Sequence, residues 1–193
     1  MGKEPAADRE WDARTLEGCR KGDPEAQRGL FLRYKDRVFS IALRFLKGDE
    51  AAAQDVTHDV FVKVFRGAPS FREDARLSTW LYRIVVNACM DELRRRRRIV
   101  LFREVPARLQ PATESPVAND LVPELNEALA RLSPALRIVV LLRYVDDLSY
   151  EEIAEVLRVR TGTVASRLNR AHKALARELA RPDREPAPVE RSR

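Results

Sequence analysis

Residues 161–175 carry the side chains best suited to recognition of another molecule. Apolar residues recur there at helical spacing, which leaves polar residues on the opposite face. The apolar stripe consists of Val164, Leu168, Ala171 and Leu175. The opposite face consists of Ser166, Asn169, Arg170 and Lys173, with Arg167 at its edge. Arg and Asn can each make two hydrogen bonds to the edge of a DNA base. The pattern therefore predicts a helix that reads the major groove, and a charged face on a small helical bundle is the alternative.

A second helix is predicted immediately before this one. Ser149 and Glu152 stand three residues apart, as in a capping box, and predict where that helix begins. Its apolar stripe consists of Ile153, Ala154 and Leu157. Thr161 is the predicted N-cap of the helix that follows. The two segments and the tight turn between them are typical of a helix-turn-helix.

Composition limits the class of partner. The 36 Lys and Arg residues exceed the 30 Asp and Glu residues, which gives a net charge of +6. Five consecutive arginines, Arg94–Arg98, concentrate this excess and favour a polyanionic partner. No apolar run approaches the length of a membrane span, and the N-terminus lacks the apolar centre of a signal peptide. We therefore expect a soluble, cytoplasmic protein.

The residues that enzymes and metal sites need are sparse. Cys19 and Cys89 are far apart, and His58 and His172 are the only histidines, so no group has the spacing of a zinc site. We expect Cys89 to be buried on an apolar helical face and Cys19, in a polar segment, to be exposed. The sequence contains no recognisable nucleophile arrangement or Gly-rich phosphate loop. It predicts no catalytic residue, no metal and no cofactor.

Helical periodicity dominates the rest of the chain and predicts an all-α fold of two helical domains joined by a flexible linker. Asp23, Asp49, Ser78 and Ser133 are predicted N-caps, and Pro follows the first and the last of them. Repeated prolines interrupt the linker. The predicted organisation is an N-terminal segment at 1–22, a first domain at 23–98, a linker at 99–123, a second domain at 124–180 and a disordered tail at 181–193.

Four segments resemble one protein family when they are taken in order. They are GDPEAQRGLFLRY, QDVTHDVFVKVFR, FREDARLSTWLYRIVVNACMDELRRRRR and LSPALRIVVLLRYVDDLSYEEIAEVLRVRTGTVASRLNRA. They are similar to the start of region 2, the polymerase-binding helix, the promoter-melting and −10 segment, and region 4 of bacterial sigma-70 factors. The absence of other regions between them resembles the extracytoplasmic-function (ECF, group IV) class.

This resemblance implies binding to core RNA polymerase, at the β′ clamp helices and the β flap. The residues implied in polymerase binding are Asp55, His58, Asp59, Val62 and Lys63. An acidic pair one turn apart beside an apolar residue suits an interface patch, and an ordinary solvated face is the alternative. His58 stands where the family commonly has Gln.

The resemblance also implies that the loop at 71–77 and the helix after it recognise the −10 element on the non-template strand. One base would be flipped into a pocket formed partly by the loop. The residues implied at −10 DNA are Arg72, Asp74, Ala75, Arg76, Arg83, Asn87, Arg94, Arg95 and Arg96. Asn87 would read a base edge or, alternatively, serve as a cap or buried polar group. We expect Trp80 to pack in the core and Tyr82 to be accessible.

Family positions and the polar face described above give the candidates for −35 DNA. They are Arg160, Thr163, Ser166, Arg167, Asn169, Arg170 and Lys173. Two residues depart from the family pattern, because Arg158 stands where Gly is usual and Ala165 where Lys is frequent. The 25 residues of the predicted linker can span at most roughly 80–90 Å. That exceeds the roughly 70 Å between promoter elements two helical turns apart.

Other functions remain as alternatives at this stage. A free-standing helix-turn-helix regulator would bind duplex DNA alone, but it would have no need of the LSTWLYRIVVNA segment. An enzyme acting on nucleic acid would need a catalytic arrangement that the sequence lacks. The resemblance further implies an anti-sigma factor as a partner, without identifying it.

Overall fold

A computed structural model of the protein describes residues 6–71, 76–102 and 123–180, with side chains described for 10–71, 76–98 and 123–180. The helices are α1 (Ala6–Arg20), α2 (Pro24–Phe45), α3 (Glu50–Gly67), α4 (Leu77–Phe102), α5 (Pro123–Arg131), α6 (Pro134–Tyr144), α7 (Tyr150–Leu157) and α8 (Thr161–Leu179). A short 3-10 turn, Ala68–Ser70, follows α3. These ranges contain no strand, which confirms the all-α prediction. None of the helices in them is long and apolar enough to cross a lipid bilayer.

Side-chain caps begin several helices where the sequence predicts. The carboxylate of Asp23 accepts from the N–H of Glu25, and that of Asp49 accepts from the N–H of Ala52, each at 3.0 Å. Ser149 and Glu152 form the predicted capping box, with bonds of 3.2 and 2.8 Å. Such caps satisfy N–H groups that have no partner inside the helix.

Two predicted caps are wrong, because each proposed residue already lies within its helix. α4 begins at Leu77, so Ser78 lies within its first turn. Arg160 is the N-cap of α8 through its backbone, and its carbonyl accepts from the N–H of Thr163 at 2.8 Å. A cap residue must have non-helical backbone angles, and Thr161 is already helical. Ser133 does occupy the N-cap position of α6, but its side chain makes no capping bond.

Helix α1 is an element that the sequence analysis did not predict. Leu16 and Cys19 of this helix are buried, so the expectation of an exposed Cys19 is wrong. Burial raises the pKa of the Cys19 thiol, and the nearby Asp23 carboxylate adds to that effect. The Arg33 guanidinium lies 4.3 Å from the ring centre of Trp11, a cation–π contact between α1 and α2. Packing on α2 therefore orders this polar segment.

Helices α1–α4 form a first unit, and its buried apolar side chains belong to one core that continues into the rest of the chain. Leu30, Val38, Val60 and Val64 are fully buried within it, and so is Cys89, as expected. Each large apolar side chain that is removed from water contributes about 1.5–3 kcal/mol. Trp80 packs against this core as predicted: its ring centre lies 4.9 Å from that of Phe71.

Helices α5–α8 form a second unit, in which a buried arginine joins several elements. Arg137 of α6 is 2% exposed. Its guanidinium donates to the carbonyls of Leu129, Ala130 and Leu132 at 2.6–2.8 Å. These acceptors lie at the end of α5, where carbonyls lack partners inside the helix. Burial lowers the pKa of Arg137 to about 10, so the group remains cationic at neutral pH.

The two units contact each other directly. Arg137 also donates to the carbonyl of Phe45 in α2 at 2.5 Å, and α4 packs against α7. Tyr82 of α4 donates to Asp146 Oδ1 at 2.8 Å and is only 3% exposed. The expectation of an accessible Tyr82 is therefore wrong, because the second unit covers it. Burial raises the pKa of the Tyr82 hydroxyl and also raises that of the Asp146 carboxyl, to about 6.

The turn between α7 and α8 depends on a strained arginine. Arg158 adopts the left-handed conformation, with φ 53° and ψ 47°, at the C-cap of α7. Its N–H bonds to the carbonyls of Ala154 and Glu155, which closes the helix. Glycine takes this conformation without a steric penalty, whereas a residue with a Cβ loses roughly 1–2 kcal/mol.

Arg158→Gly should therefore raise the free energy of unfolding by about 0.5–1 kcal/mol, after the entropy that glycine adds to the unfolded chain is subtracted. Denaturant-induced unfolding of the variant and the native chain measures this. The control is Glu155→Gly, inside α7, which should lower the free energy of unfolding by about 1 kcal/mol. A loss of stability in Arg158→Gly would contradict the strain at this turn.

Candidate nucleic-acid and polymerase interfaces

Helix α3 separates its candidate interface residues from its core residues. Val56, Val60 and Val64 are buried on one side of the helix. The candidates for polymerase binding lie on the other side: Asp55, His58, Asp59 and Lys63 are exposed, and Val62 is half-buried. Asp55 and Asp59 stand one turn apart, so this acidic face is available to a basic partner.

The basic end of α4 lies close to this acidic face. Glu92 raises the pKa of Arg95 through a hydrogen bond and its charge, and Asp55 and Asp59 add smaller effects of the same sign. A surface of mixed charge is therefore shared between α3 and α4. Charge alone does not distinguish a polymerase contact from a DNA contact at this edge. The helix face on which each side chain lies is therefore the basis for assigning it to one partner or the other.

Three of the five consecutive arginines pair with acidic side chains. Arg94 bonds to Asp91 at 2.7 Å, and Arg95 bonds to Glu92 at 2.7 Å. Arg96 bonds to Glu92 and to Asp49, both at 2.8 Å. The Arg94–Asp91 pair is exposed, and such pairs are weak and exchange readily for a phosphate. Glu92, which pairs with Arg95 and Arg96, is only 10% exposed. Arg97 and Arg98, the last two residues of this basic run, are also exposed.

Some of the −10 candidates contact the second unit and others do not. Arg76 Nη1 lies 2.5 Å from Glu152 Oε1, and Arg83 Nη2 donates to the carbonyl of Glu155 at 3.2 Å. Both acceptors belong to α7 in the second unit. Asn87 is exposed one turn beyond Arg83, which disfavours a buried polar role for it. Arg72, Asp74 and Ala75 lie outside the described residues.

Helix α8 presents the −35 candidates on one face. Val164, Leu168 and Ala171 are buried, as predicted, and Leu175 is partly buried. The exposed candidates are Arg160, Ser166, Asn169, Arg170 and Lys173, and the half-buried candidates are Thr163 and Arg167. Both hydrogen bonds that Arg170 donates to Ser166 are long, at 3.4 Å. Its guanidinium is therefore available for a stronger acceptor.

The arrangement gives little support to a metal site or to a catalytic site. Within the ranges that the structure describes, no group of three or more His, Cys, Asp or Glu side chains could hold a metal ion. Tyr144 and His172 form a hydrogen bond of 2.8 Å, but both are exposed side chains. What the arrangement offers is a set of exposed helical faces suited to macromolecules.

Comparisons with known proteins identify the family. The Sigma-70 region 2 family matches residues 30–99, and the Sigma-70, region 4 family matches residues 124–175. The chain is 34% identical over 177 residues to the ECF RNA polymerase sigma-E factor of Escherichia coli strain K12, which covers 85% of this chain and 92% of that protein. The chain belongs to the ECF sigma factors.

Two further relatives extend the similarity. ECF RNA polymerase sigma factor SigW of Bacillus subtilis strain 168 is 27% identical over 179 residues, which is 86% of this chain and 95% of that protein. A co-crystal structure of the sigma factor RpoE with the anti-sigma factor NepR, from Bartonella quintana, matches with a TM-score of 0.65 and 26% identity. It covers 81% of this chain and 98% of that chain, so the likeness includes both helical units.

Membership in the ECF sigma factors decides between the functions considered from the sequence. A free-standing helix-turn-helix regulator would account for α7 and α8 alone. The region 2 match covers most of α2, all of α3 and most of α4, which such a regulator does not require. The function of an ECF sigma factor accounts for both units.

Proposed function

We propose that this ECF sigma factor binds core RNA polymerase through the exposed face of α3 and directs it to promoters with −10 and −35 elements. The observation that carries this proposal is the presence of both sigma regions in one chain, each with an exposed candidate face. Asp55 and Asp59 provide the charge for a basic surface of the polymerase. Val62, on the same face, provides apolar contact area for the polymerase.

DNA recognition is assigned to two different helices. Asn169 and Arg170 of α8 have the donors and acceptors for base edges in the major groove of −35 DNA. Lys173 and Arg160 bind phosphates, which positions the helix without specifying sequence. Asn87 of α4 reads the −10 strand, and the arginines at the end of α4 hold its backbone. These backbone contacts weaken as salt increases.

The protein has no covalent step of its own in this proposal. Opening of the duplex requires unstacking of bases, which costs a few kcal/mol and is offset by contacts to the displaced strand. The polymerase then carries out synthesis. The sigma factor acts in the cytoplasm, as a dissociable specificity subunit. An anti-sigma factor is a further proposed partner, because the matching sigma factor RpoE was solved with one.

The length of chain between the two units also limits how far apart the −10 and −35 promoter elements can lie. Helix α4 continues to Phe102 and α5 begins at Pro123, so 20 residues connect them instead of the 25 expected. An extended chain of that length spans at most about 70 Å. That equals the roughly 70 Å between elements two helical turns apart. Promoter spacers much longer than this should therefore be poor templates.

Run-off transcription with core polymerase and a randomised promoter library tests the proposed function. The chain should confer initiation on a subset of templates that share two short elements. Core polymerase alone provides the baseline. Failure to initiate on any template, together with tight binding of intact duplex by the free chain, would instead support the helix-turn-helix regulator.

Arg170→Ala should reduce transcription from promoters with an intact −35 element by about tenfold, because a bidentate base contact contributes roughly 1–3 kcal/mol. Arg177→Ala is the matched control, since Arg177 is an exposed arginine two turns further along α8. Transcription from both variants is measured on templates with intact and scrambled −35 DNA. An equal loss on the two templates would contradict a specific role for Arg170.

A further inference from the structure

Helix α1 contacts the stretch of chain between α3 and α4 through one arginine. Arg20, the last residue of α1, donates from Nη2 to the carbonyl of Phe71 at 2.6 Å and from Nε to the carbonyl of Ala68 at 3.4 Å. Ala68 is the first residue of the 3-10 turn, and Phe71 is the residue that follows the turn. The fork of N–H donors on one guanidinium therefore joins α1 to both ends of this turn.

Phe71 is the residue at which the chain leaves the 3-10 turn and enters the loop assigned to −10 DNA. Its N–H bonds to the carbonyl of Ala68 at 3.2 Å, and its carbonyl bonds to Arg20. Both of its backbone polar groups are therefore held, which fixes the direction of the chain at this point. The first bond lies within the turn, whereas the second joins residues 51 positions apart. Helix α1 thus supplies a restraint that the turn does not provide for itself.

The junction formed by the 3-10 turn and Phe71 packs against the start of α4. Trp80 lies in the first turn of that helix, and its ring centre is 4.9 Å from that of Phe71. A Cβ added at Gly67, just before the 3-10 turn, would lie 3.0 Å from Trp80 Cζ2, so the indole packs directly on this glycine. Close packing on both sides of the turn couples its position to that of α4, which carries Asn87.

Helix α1 does not depend on Arg20 for its place on the first unit. Leu16 and Cys19 are buried, and Trp11 contacts the guanidinium of Arg33 in α2. Loss of the Arg20 side chain should therefore leave α1 in place and release only the junction. The region 2 match begins at residue 30, so the whole of α1 lies outside it. The contact is a feature of this chain that the family match does not include.

We infer that Arg20 is a positioning residue for −10 recognition: it holds the junction against the start of α4, so that the −10 loop and Asn87 meet the DNA strand together. This inference rests on the proposed function, which assigns both to −10 DNA. Arg20 acts through the backbone of Phe71 and does not itself touch DNA. A junction that is already held does not have to be ordered when the strand binds. Without Arg20 only a fraction of the chains has the competent arrangement, and the apparent affinity falls by that fraction.

The experiment compares Arg20→Met with Arg14→Met in the full-length chain bound to core polymerase. Arg14→Met is the matched control, because it makes the same change on the same helix, at a side chain that is 79% exposed and pairs with Glu10. Fluorescence anisotropy measures binding to two labelled single strands at one fixed salt concentration. One strand carries a −10 element from templates that the native chain selects from the randomised library, and the other carries that element scrambled. The ratio of the two affinities is the selectivity.

Arg20→Met should bind the −10 strand about tenfold more weakly than the native chain and the scrambled strand equally well, which corresponds to a competent fraction of about one in ten. Arg14→Met should keep the native selectivity. Arg20→Lys should recover part of it, with a loss of about threefold, because an ammonium keeps the charge but lacks the fork that holds two carbonyls together.

Three outcomes would overturn the inference. They are native selectivity in Arg20→Met, equal weakening on both strands, which would make Arg20 a structural residue only, and the same loss in Arg14→Met, which would make net charge the cause. If circular dichroism shows lost helix in Arg20→Met, the selectivity of Arg20→Lys decides, and a native value refutes the inference. A native chain that does not distinguish the two strands would overturn the proposed function as well. That comparison needs no variant, so the two failures are distinguishable.

Discussion

Replacing Arg137 with methionine should lower the free energy of unfolding by about 3–5 kcal/mol, because several buried acceptors lose a charged donor together. The guanidinium bonds to carbonyls at the end of α5 and to the carbonyl of Phe45 in the first unit. Methionine fills similar volume and leaves these oxygens without partners. Denaturant-induced unfolding measures the loss, and circular dichroism reports whether the remaining helices persist.

Arg143→Met is the control for this prediction. Arg143 lies on the same helix and donates to one carbonyl, that of Leu148, at 3.1 Å. Its replacement should lower the free energy of unfolding by about 1–2 kcal/mol. If both substitutions are equally destabilising, the number of acceptors at Arg137 does not explain its effect, and loss of side-chain packing would be the better account.

Local signals in the sequence predicted most helix starts, since the interactions that begin a helix lie within a few residues. The capping bonds of Asp23 and Asp49 and the capping box of Ser149 and Glu152 are of this kind. Helix α1 was missed for the opposite reason. Its buried residues are few, Leu16 and Cys19 among them, and the helix is ordered by packing on α2, which no local pattern reports.

The faces of the candidate sites were predictable to the extent that helical periodicity separates buried from exposed positions. On α3 and α8 the predicted polar faces are exposed. On α4 the same reasoning failed for Tyr82, because its partner Asp146 is 64 residues further along the chain. Arg137 was missed because a lone arginine within an apolar run carries no local sign of the carbonyls that it binds.

The arginines of α4 and α8 differ in how closely acidic side chains pair with them. The arginines of α4 are opposed by acidic groups, both at its end, where Asp91 and Glu92 pair with them, and at its start, where Glu152 does. In the part of the chain that the structure describes, Arg170 of α8 bonds to Ser166 and forms no ion pair. In the proposed function, DNA therefore displaces acidic partners of the α4 arginines, whereas Arg170 of α8 needs no such exchange.

Asp55→Arg combined with Asp59→Arg should weaken binding to core polymerase at least about 100-fold, or roughly 2.8 kcal/mol, because both charges of the acidic face are reversed against a basic partner. Both residues are exposed, so the fold should survive. Fluorescence anisotropy with purified core polymerase measures the affinity, and circular dichroism verifies the helices.

The control for this pair is Glu151→Arg with Glu155→Arg, two exposed acids at the same spacing of four residues on α7. It makes an identical change in net charge, on the other unit, so it separates the acidic face of α3 from the overall charge of the chain. The control should bind core polymerase within about threefold of the native chain, since exposed charges outside an interface contribute little. If the two double variants lose affinity equally, long-range charge and not the α3 face governs the association. If the α3 variant keeps native affinity, Asp55 and Asp59 lie outside the polymerase interface altogether.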